Sequence, residues 1–252
     1  MSGHSKWSQI KRQKGVNDAR RGQIFTKLAR EVTLAAKEGG PSPDGNVRLR
    51  LAIQKAKENS MPMENVERAI KRATGGDGGA AQLLEITYEG YGPGGAAILL
   101  QAVTDNKNRT TSDVRSAFTR AGGTLGATGA VSWVFEPKGI ITIEADKQIR
   151  EDIALQAIDA GADDVKLEEE LMEIYTSANN LEKVRQALVG KGIRVTEAEL
   201  SMVPKSTTAL DAKTAEQTLK LMDRLEELDD IHRVYTNAEF PNEALESYRR
   251  QG

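Results

Sequence analysis

Apolar residues change their spacing along the chain, and each change marks a change of architecture. Ile24, Leu28, Val32 and Ala35 recur at helical steps, which predicts one amphipathic helix from about Asp18 to Lys37. Gly39, Gly40, Pro41 and Pro43 mark its end. Asn46 is placed to cap a second helix running to about Asn59. A third is expected from about Pro62, carrying Met63, Val66 and Ile70 inward until Gly75 and Gly76 stop it. Three such helices make a small bundle. The run GGDGGAA, Gly75 to Ala81, is nearly free of side chains and reads as a domain boundary.

Beyond that boundary the period shortens toward two. LLEITYEG and AAILLQAVTD, separated by YGPGG, predict a β-hairpin. A helix is expected from about Thr110 to Arg120, with Val114, Ala117, Phe118 and Ala121 on one face and Thr110 with Asp113 as its capping pair. A glycine-rich loop and a strand, AVSWVF, come next. From Lys138 to Met202 the order is GIITIEA (strand), IREDIALQAIDAG (helix), a strand near Val165, LMEIYTS (strand), LEKVRQALVGKG (helix) and IRVTEAELSMV (strand). That order, βαββαβ, is ferredoxin-like. A helix striped by Leu221, Met222, Leu225 and Leu228, then a strand from Ile231 to Asn237, supply what the unit before the insertion lacks. Residues from about Phe240 are expected to be mobile. The fold class is therefore α+β: an N-terminal helical bundle (1–76) followed by two ferredoxin-like α+β domains, the second (137–204) inserted into the first (77–136 plus 205–240).

Charge adds a polarity that the net value of −2 conceals. Residues 1–74 carry 16 Lys+Arg and 7 Asp+Glu, or +9, whereas the remainder carries 19 and 30, or −11. The excess begins in the run GHSKWSQIKRQKGVNDARRGQIFTKLAR, where Lys6, Lys11, Arg12, Lys14, Arg20, Arg21, Lys27 and Arg30 face a single acid, Asp18. Such a tract repels itself and gains from a polyanion that neutralises it and releases counterions. Arg68, Lys71 and Arg72 on the third expected helix add to the same charge. Trp7 either stacks on an unpaired base or packs against the first helix. In DNKNRTT, Lys107 and Arg109 precede the expected helix N-terminus, where they serve as a second phosphate contact or as an ordinary capped turn.

The rest of the composition narrows the chemistry. No cysteine is present, so disulfide and thiol chemistry are excluded, and His4 and His232 lie too far apart in sequence to suggest a metal site. No metal or cofactor is expected. No apolar run approaches the length of a membrane span, and the leading segment lacks the apolar core of a signal peptide. It shares basicity with an organellar transit peptide but runs into a helical pattern with no cleavage-like break, so a cytoplasmic location without membrane contact is expected. Gly90, Gly92 and Gly95 satisfy the GxGxxG spacing, yet AAILLQAV continues as strand where a dinucleotide site needs a helix, so they read as turn glycines. Glu168 to Glu170, and Glu226, Glu227, Asp229 and Asp230, read as solvated faces or an acidic groove. No nucleophile with an adjacent base is apparent, so neither catalysis nor a small-molecule substrate is expected.

GHSKW, FTKLAREV, the stretch from Asn46 to Ala56, NSMP, YEGYGPGG, DNKNRT and SMVP together resemble the YebC family, over nearly the whole chain from Gly3 to about Asn237. The resemblance implies a cytoplasmic, three-domain α+β protein with a helical N-terminal domain and no enzymatic activity. That family includes bacterial proteins catalogued as probable transcriptional regulators and a mitochondrial translational activator. The expected function is a non-enzymatic nucleic-acid-binding regulator of gene expression, with DNA and ribosomal RNA, or the ribosome, as competing targets. A protein-interaction scaffold that uses the acidic domains, and a nucleotide-dependent enzyme built on the glycine hairpin, are the readings from other classes.

Overall fold

The computed structural model describes residues 18–74, 83–167 and 171–250. Helices α1 (Asp18–Gly39), α2 (Val47–Glu58) and α3 (Met63–Thr74) form the head. Leu28, Val32 and Ala35 are buried against Leu49, Ala52, Val66 and Ala69, so the helical stripe read from the sequence is the core. Met63 departs from expectation and is 42 % exposed. The turn at Ser60, whose backbone is left-handed (φ 58°), drives Met61 into that end of the core ahead of the helix and leaves Met63 at the rim. Asn46 caps α2 as expected: its Oδ1 accepts from Leu49 N at 3.0 Å, while its Nδ2 donates to Ala35 O and Gly40 O at 2.7 and 2.9 Å. One buried amide thus fixes the corner between α1 and α2. Half of the ten buried residues in the core cluster of the head are alanines, each of which removes less apolar area from water than a larger side chain would.

The chain continues as β1 (Leu84–Tyr91), β2 (Ala97–Thr104), α4 (Lys107–Arg120) and β3 (Thr124–Leu125). Next come β4 (Phe135–Glu144), α5 (Arg150–Ala160), β5 (Asp164–Leu167), β6 (Leu171–Ser177), α6 (Leu181–Gly190) and β7 (Val195–Pro204). It closes with β8 (Thr208–Ala209), α7 (Ala212–Glu226), β9 (Ile231–Thr236), β10 (Ala238–Glu239) and α8 (Asn242–Arg250). Residues 135–203 form one compact unit, and the chain on either side forms the other.

The larger unit holds a four-stranded sheet in the order β3-β1-β2-β9, with β3·β1, β1·β2 and β2·β9 all antiparallel. Ile98, Leu100, Val114, Phe118, Leu219, Met222 and Leu225 build one core between the sheet and helices α4 and α7. The inserted unit is a four-stranded sheet in the order β5-β6-β4-β7, as βαββαβ connectivity demands. Its core contains Ile141, Ile143, Met172 and Ile174 from the strands and Ile153, Ala157, Val184 and Leu188 from α5 and α6. Glu168 to Glu170, between β5 and β6, lie outside the described residues, as do residues 75–82 with the glycine-rich boundary.

Three local expectations are corrected. The helix expected from Thr110 begins at Lys107 and is capped by Asn106, whose Oδ1 accepts from Arg109 N at 3.1 Å, because the Thr110 hydroxyl is buried and committed elsewhere. AVSWVF is not a strand: Ser132–Val134 form a 3-10 turn and only Phe135 joins β4. The N–H groups of Val131 and Ser132 are claimed by the Glu89 carboxylate and cannot enter a ladder. Finally, the described residues from Phe240 onward are packed rather than loose. Phe240, Ala244, Leu245 and Tyr248 form an apolar stripe that α8 lays into the core of the larger unit, and β10 pairs in parallel with β8.

The hairpin glycines serve the sheet. Gly94 and Gly95 take positive φ (71° and 78°) in the turn between β1 and β2, and a Cβ on Gly90 would stand 2.7 Å from both the Phe118 ring and Thr124 O. Gly90→Ala should therefore push β3 or Phe118 aside and lower stability by about 1–3 kcal/mol, which chemical denaturation would read. An unchanged midpoint would mean that the sheet absorbs the methyl group.

Candidate nucleic-acid interface

The cations picked out by the sequence divide into those turned inward and those left outward. Lys6, Trp7, Lys11, Arg12 and Lys14, with His4, lie outside the described residues, as does the side chain of Arg20. Lys27 donates from Nζ to Glu226 O, and Arg30 donates to Asp229 O at 2.8 Å and Asp230 Oδ1 at 2.9 Å. Arg109 donates to Asp105 at 2.9 Å and to both oxygens of Asp230 at 3.0 and 2.8 Å. These three cations are matched within the chain.

Asp230, read from sequence as part of a solvated face or an acidic groove, is 5 % exposed. It also accepts from Thr110 Oγ1 at 2.7 Å and Thr104 Oγ1 at 3.1 Å. Burial alone would raise its pKa, but Thr110, Arg109 and Arg30 outweigh that and hold its carboxyl below the usual range for aspartate. Beside this latch runs a second one. Glu31 on α1 accepts from Arg48 Nε at 3.1 Å, and Arg48 also reaches Glu38 at 2.6 Å and Glu85 at 3.1 Å. His232 Nδ1 stands 3.8 Å from Glu31, and its Nε2 is buried without a hydrogen-bond partner. Burial, with Lys27, Arg30 and Arg233 nearby, pushes the imidazole down to about 4 against the pull of Glu31. The sequence singles out no role for Glu31, and none of this kind for His232 or Asp230, because nothing in their local spacing distinguishes them from surface charges.

Of the cations picked out by the sequence, Arg68, Lys71 and Arg72 on α3 and Lys107 at the start of α4 are exposed. Arg68 and Arg72 rim a groove of about 210 Å³ between α1 and α3, floored by Phe25, Ala29, Met61 and Ala69. Arg68 holds only Glu64 one turn back, at 2.8 Å, and both are well exposed. A pair of this kind is worth about 0.3–0.5 kcal/mol and yields readily to a phosphate.

Among the described residues no three His, Asp or Glu side chains cluster as a metal site, and no helix is long and apolar enough to cross a membrane. Fold and surface thus define an α+β protein with a cation-rimmed helical head latched by ion pairs, Arg30 on the buried Asp230 and Arg48 on Glu85, to a mixed body, which carries a ferredoxin-like insertion. The chain belongs to the TACO1/YebC family: the profile of the family's N-terminal domain matches residues 5–76, and that of its second and third domains matches residues 83–238. A probable transcriptional regulatory protein of Dehalococcoides mccartyi is 56 % identical over 251 residues, covering all of both chains. One from Herpetosiphon aurantiacus is 51 % identical over 253 residues, again covering all of both. The crystal structure of a conserved hypothetical protein from Aquifex aeolicus matches with a TM-score of 0.81 and 46 % identity, over 89 % of this chain and 92 % of that one.

Proposed function

We propose that this protein is a non-catalytic, cytoplasmic regulator of gene expression that binds nucleic acid through the phosphate backbone with its basic head. The carrying observation is the sorting of charge on the described head: Lys27 and Arg30 face internal acceptors while Arg68, Lys71 and Arg72 on α3 are exposed. The names of its relatives, probable transcriptional regulatory proteins, point the same way. The leading tract with Lys6, Lys11, Arg12 and Lys14 precedes α1 and would extend the same positive surface. Arg30 and Arg109, matched on Asp230, do not belong to it, and Lys107 remains a secondary contact.

Changing Arg68, Lys71 and Arg72 together to glutamate should weaken binding on every nucleic-acid sequence alike. It should also flatten the salt dependence, the slope of log affinity against log salt falling by about 2–3. Fluorescence anisotropy across a salt series measures both. Wild-type affinity and slope in the variant would remove α3 from the binding surface.

A second target within this reading is RNA on the ribosome, favoured by Glu64 and Glu67, which are exposed beside the cations of α3. A helix entering a major groove would carry both carboxylates against the phosphates, whereas backbone contact with a folded RNA need not. Sedimentation with ribosomes beside a gel shift on duplex DNA at physiological salt separates the two. Co-migration without a specific shift would reject transcriptional control.

A further inference from the structure

One surface feature has no part in the basic head. Trp133 is 65 % exposed, in the 3-10 turn Ser132–Val134. Its position is held from several sides. The indole Nε1 donates to Ala130 O at 3.1 Å, and the Tyr91 hydroxyl donates to the same carbonyl at 2.9 Å. Tyr91 is itself 40 % exposed. The loop beneath is pinned by Glu89, 3 % exposed, whose Oε1 accepts from Gly129 N at 2.8 Å and whose Oε2 accepts from Val131 N and Ser132 N, both at 2.7 Å. Lys205 closes the far side, donating from Nζ to Trp133 O at 3.1 Å and from its backbone N–H to Val134 O at 2.8 Å. A buried carboxylate is costly unless fully hydrogen-bonded, and here its bonds serve to hold one loop in one shape.

The surrounding charge says what such a loop accepts. Residues 75–252 carry 30 acids, yet residues 114–135 contain none and include Arg115 and Arg120. The Glu89 carboxylate beneath the loop is buried and capped, and Lys205 supplies a cation on its far side. Because Ala130 O already takes the polar groups of both rings, the platform offers an aromatic face rather than a hydrogen-bonding code. A duplex hides the faces of its bases, whereas an unpaired base presents one.

We propose that Trp133, preset by Glu89 and flanked by Tyr91 and Lys205, is a stacking platform for an unpaired nucleobase of a single-stranded nucleic acid. This rests on the reading of the protein as a nucleic-acid binder and names the form of nucleic acid it takes. Stacking on such a ring is worth about 1–3 kcal/mol per base, or about 5- to 150-fold in affinity.

The test uses the full chain with Trp7→Phe, which leaves Trp133 as the only tryptophan. The probe is a labelled single-stranded oligouridylate of about twelve nucleotides, within ordinary single-strand site sizes. Trp133 emission should be quenched over the concentration range in which anisotropy reports binding, and a duplex of the same length should not quench it. W133A should bind about 5- to 150-fold more weakly with an unchanged salt slope. W133F, which keeps a ring, should retain most of the affinity. Thermal unfolding of both variants guards against misfolding, and the quenching measurement needs neither.

Oligonucleotide binding with silent Trp133 emission, or with wild-type affinity in W133A, would overturn the proposal and leave phosphate binding by the head intact. Absence of binding to single strand and duplex alike, even at low salt, would overturn both. A Trp133 response to RNA-free ribosomal protein but not to oligonucleotide would also overturn it, giving the platform to a protein partner.

Discussion

Replacing Asp230 by alanine should lower the free energy of unfolding by about 3–5 kcal/mol, the usual cost of removing one partner from a buried ionic cluster. The reason lies in what the carboxylate leaves behind. Thr104 and Thr110 are almost completely buried and both bond to Asp230 Oδ2, and the Arg30 guanidinium is oriented by Asp230 Oδ1. Arg109 contributes least, since its side chain is 47 % exposed and can return to water. The loss falls on the contact between a head with an alanine-rich core and the body that holds it. At about 2–4 °C per kcal/mol for a chain of this size, the melting midpoint should drop by roughly 6–20 °C. Calorimetry on D230A, with D230N as the isosteric control, measures it. A shift below about 1 kcal/mol would mean that Asp230 is a spectator. Limited proteolysis should cut D230A first between head and body.

The second large effect concerns acidity. His232 is neutral and buried, with its pKa lowered to about 4 from the ordinary 6.5. Between these values the unfolded chain binds a proton that the folded chain refuses, so stability rises with pH there and is lost as pH falls from about 6.5 towards 4. The shift corresponds to about 3 kcal/mol over that interval. Glu31, Glu89 and Asp230 act differently. Burial raises each, but Arg48 for Glu31, backbone N–H groups for Glu89, and Thr110 with the two arginines for Asp230 bring each below its ordinary value. Their stabilisation is complete above the ordinary carboxylate range and disappears only when the pH falls through their lowered values. Denaturant unfolding from pH 7 to 4 should therefore show a decline that H232L largely removes, while the steeper loss at still lower pH remains. An identical decline in H232L would assign the proton to another group.

Much of this architecture was legible in local pattern. The stripe Leu28, Val32, Ala35 became the core of the head, Asn46 became a cap, and the short apolar runs around Ile141 and Ile174 became strands of the inserted sheet. Helical and strand periods repeat over a few residues, and a core needs only that they match. The failures share a cause too. AVSWVF has the composition of a strand, but Glu89, some forty residues earlier, takes the N–H groups a ladder would use. The tail after Phe240 reads as a terminus by position, yet its apolar stripe finds a place in a core assembled from β2, α4 and α7. Position and composition are local, whereas acceptor and cavity are supplied from elsewhere.

For the candidate site the division is sharper. Sequence alone determined that the head is basic, that the body is acidic, and that no thiol is available. Those are sums over residues and do not depend on how the chain folds. Only the tertiary structure decided which cations face outward, because Arg30 meets Asp230 across 200 positions and Arg109 meets it across 121. A charge in the sequence has a sign but no neighbour. Folding assigns the neighbour, and with it whether a cation is part of the fold's own electrostatics or remains exposed for a partner.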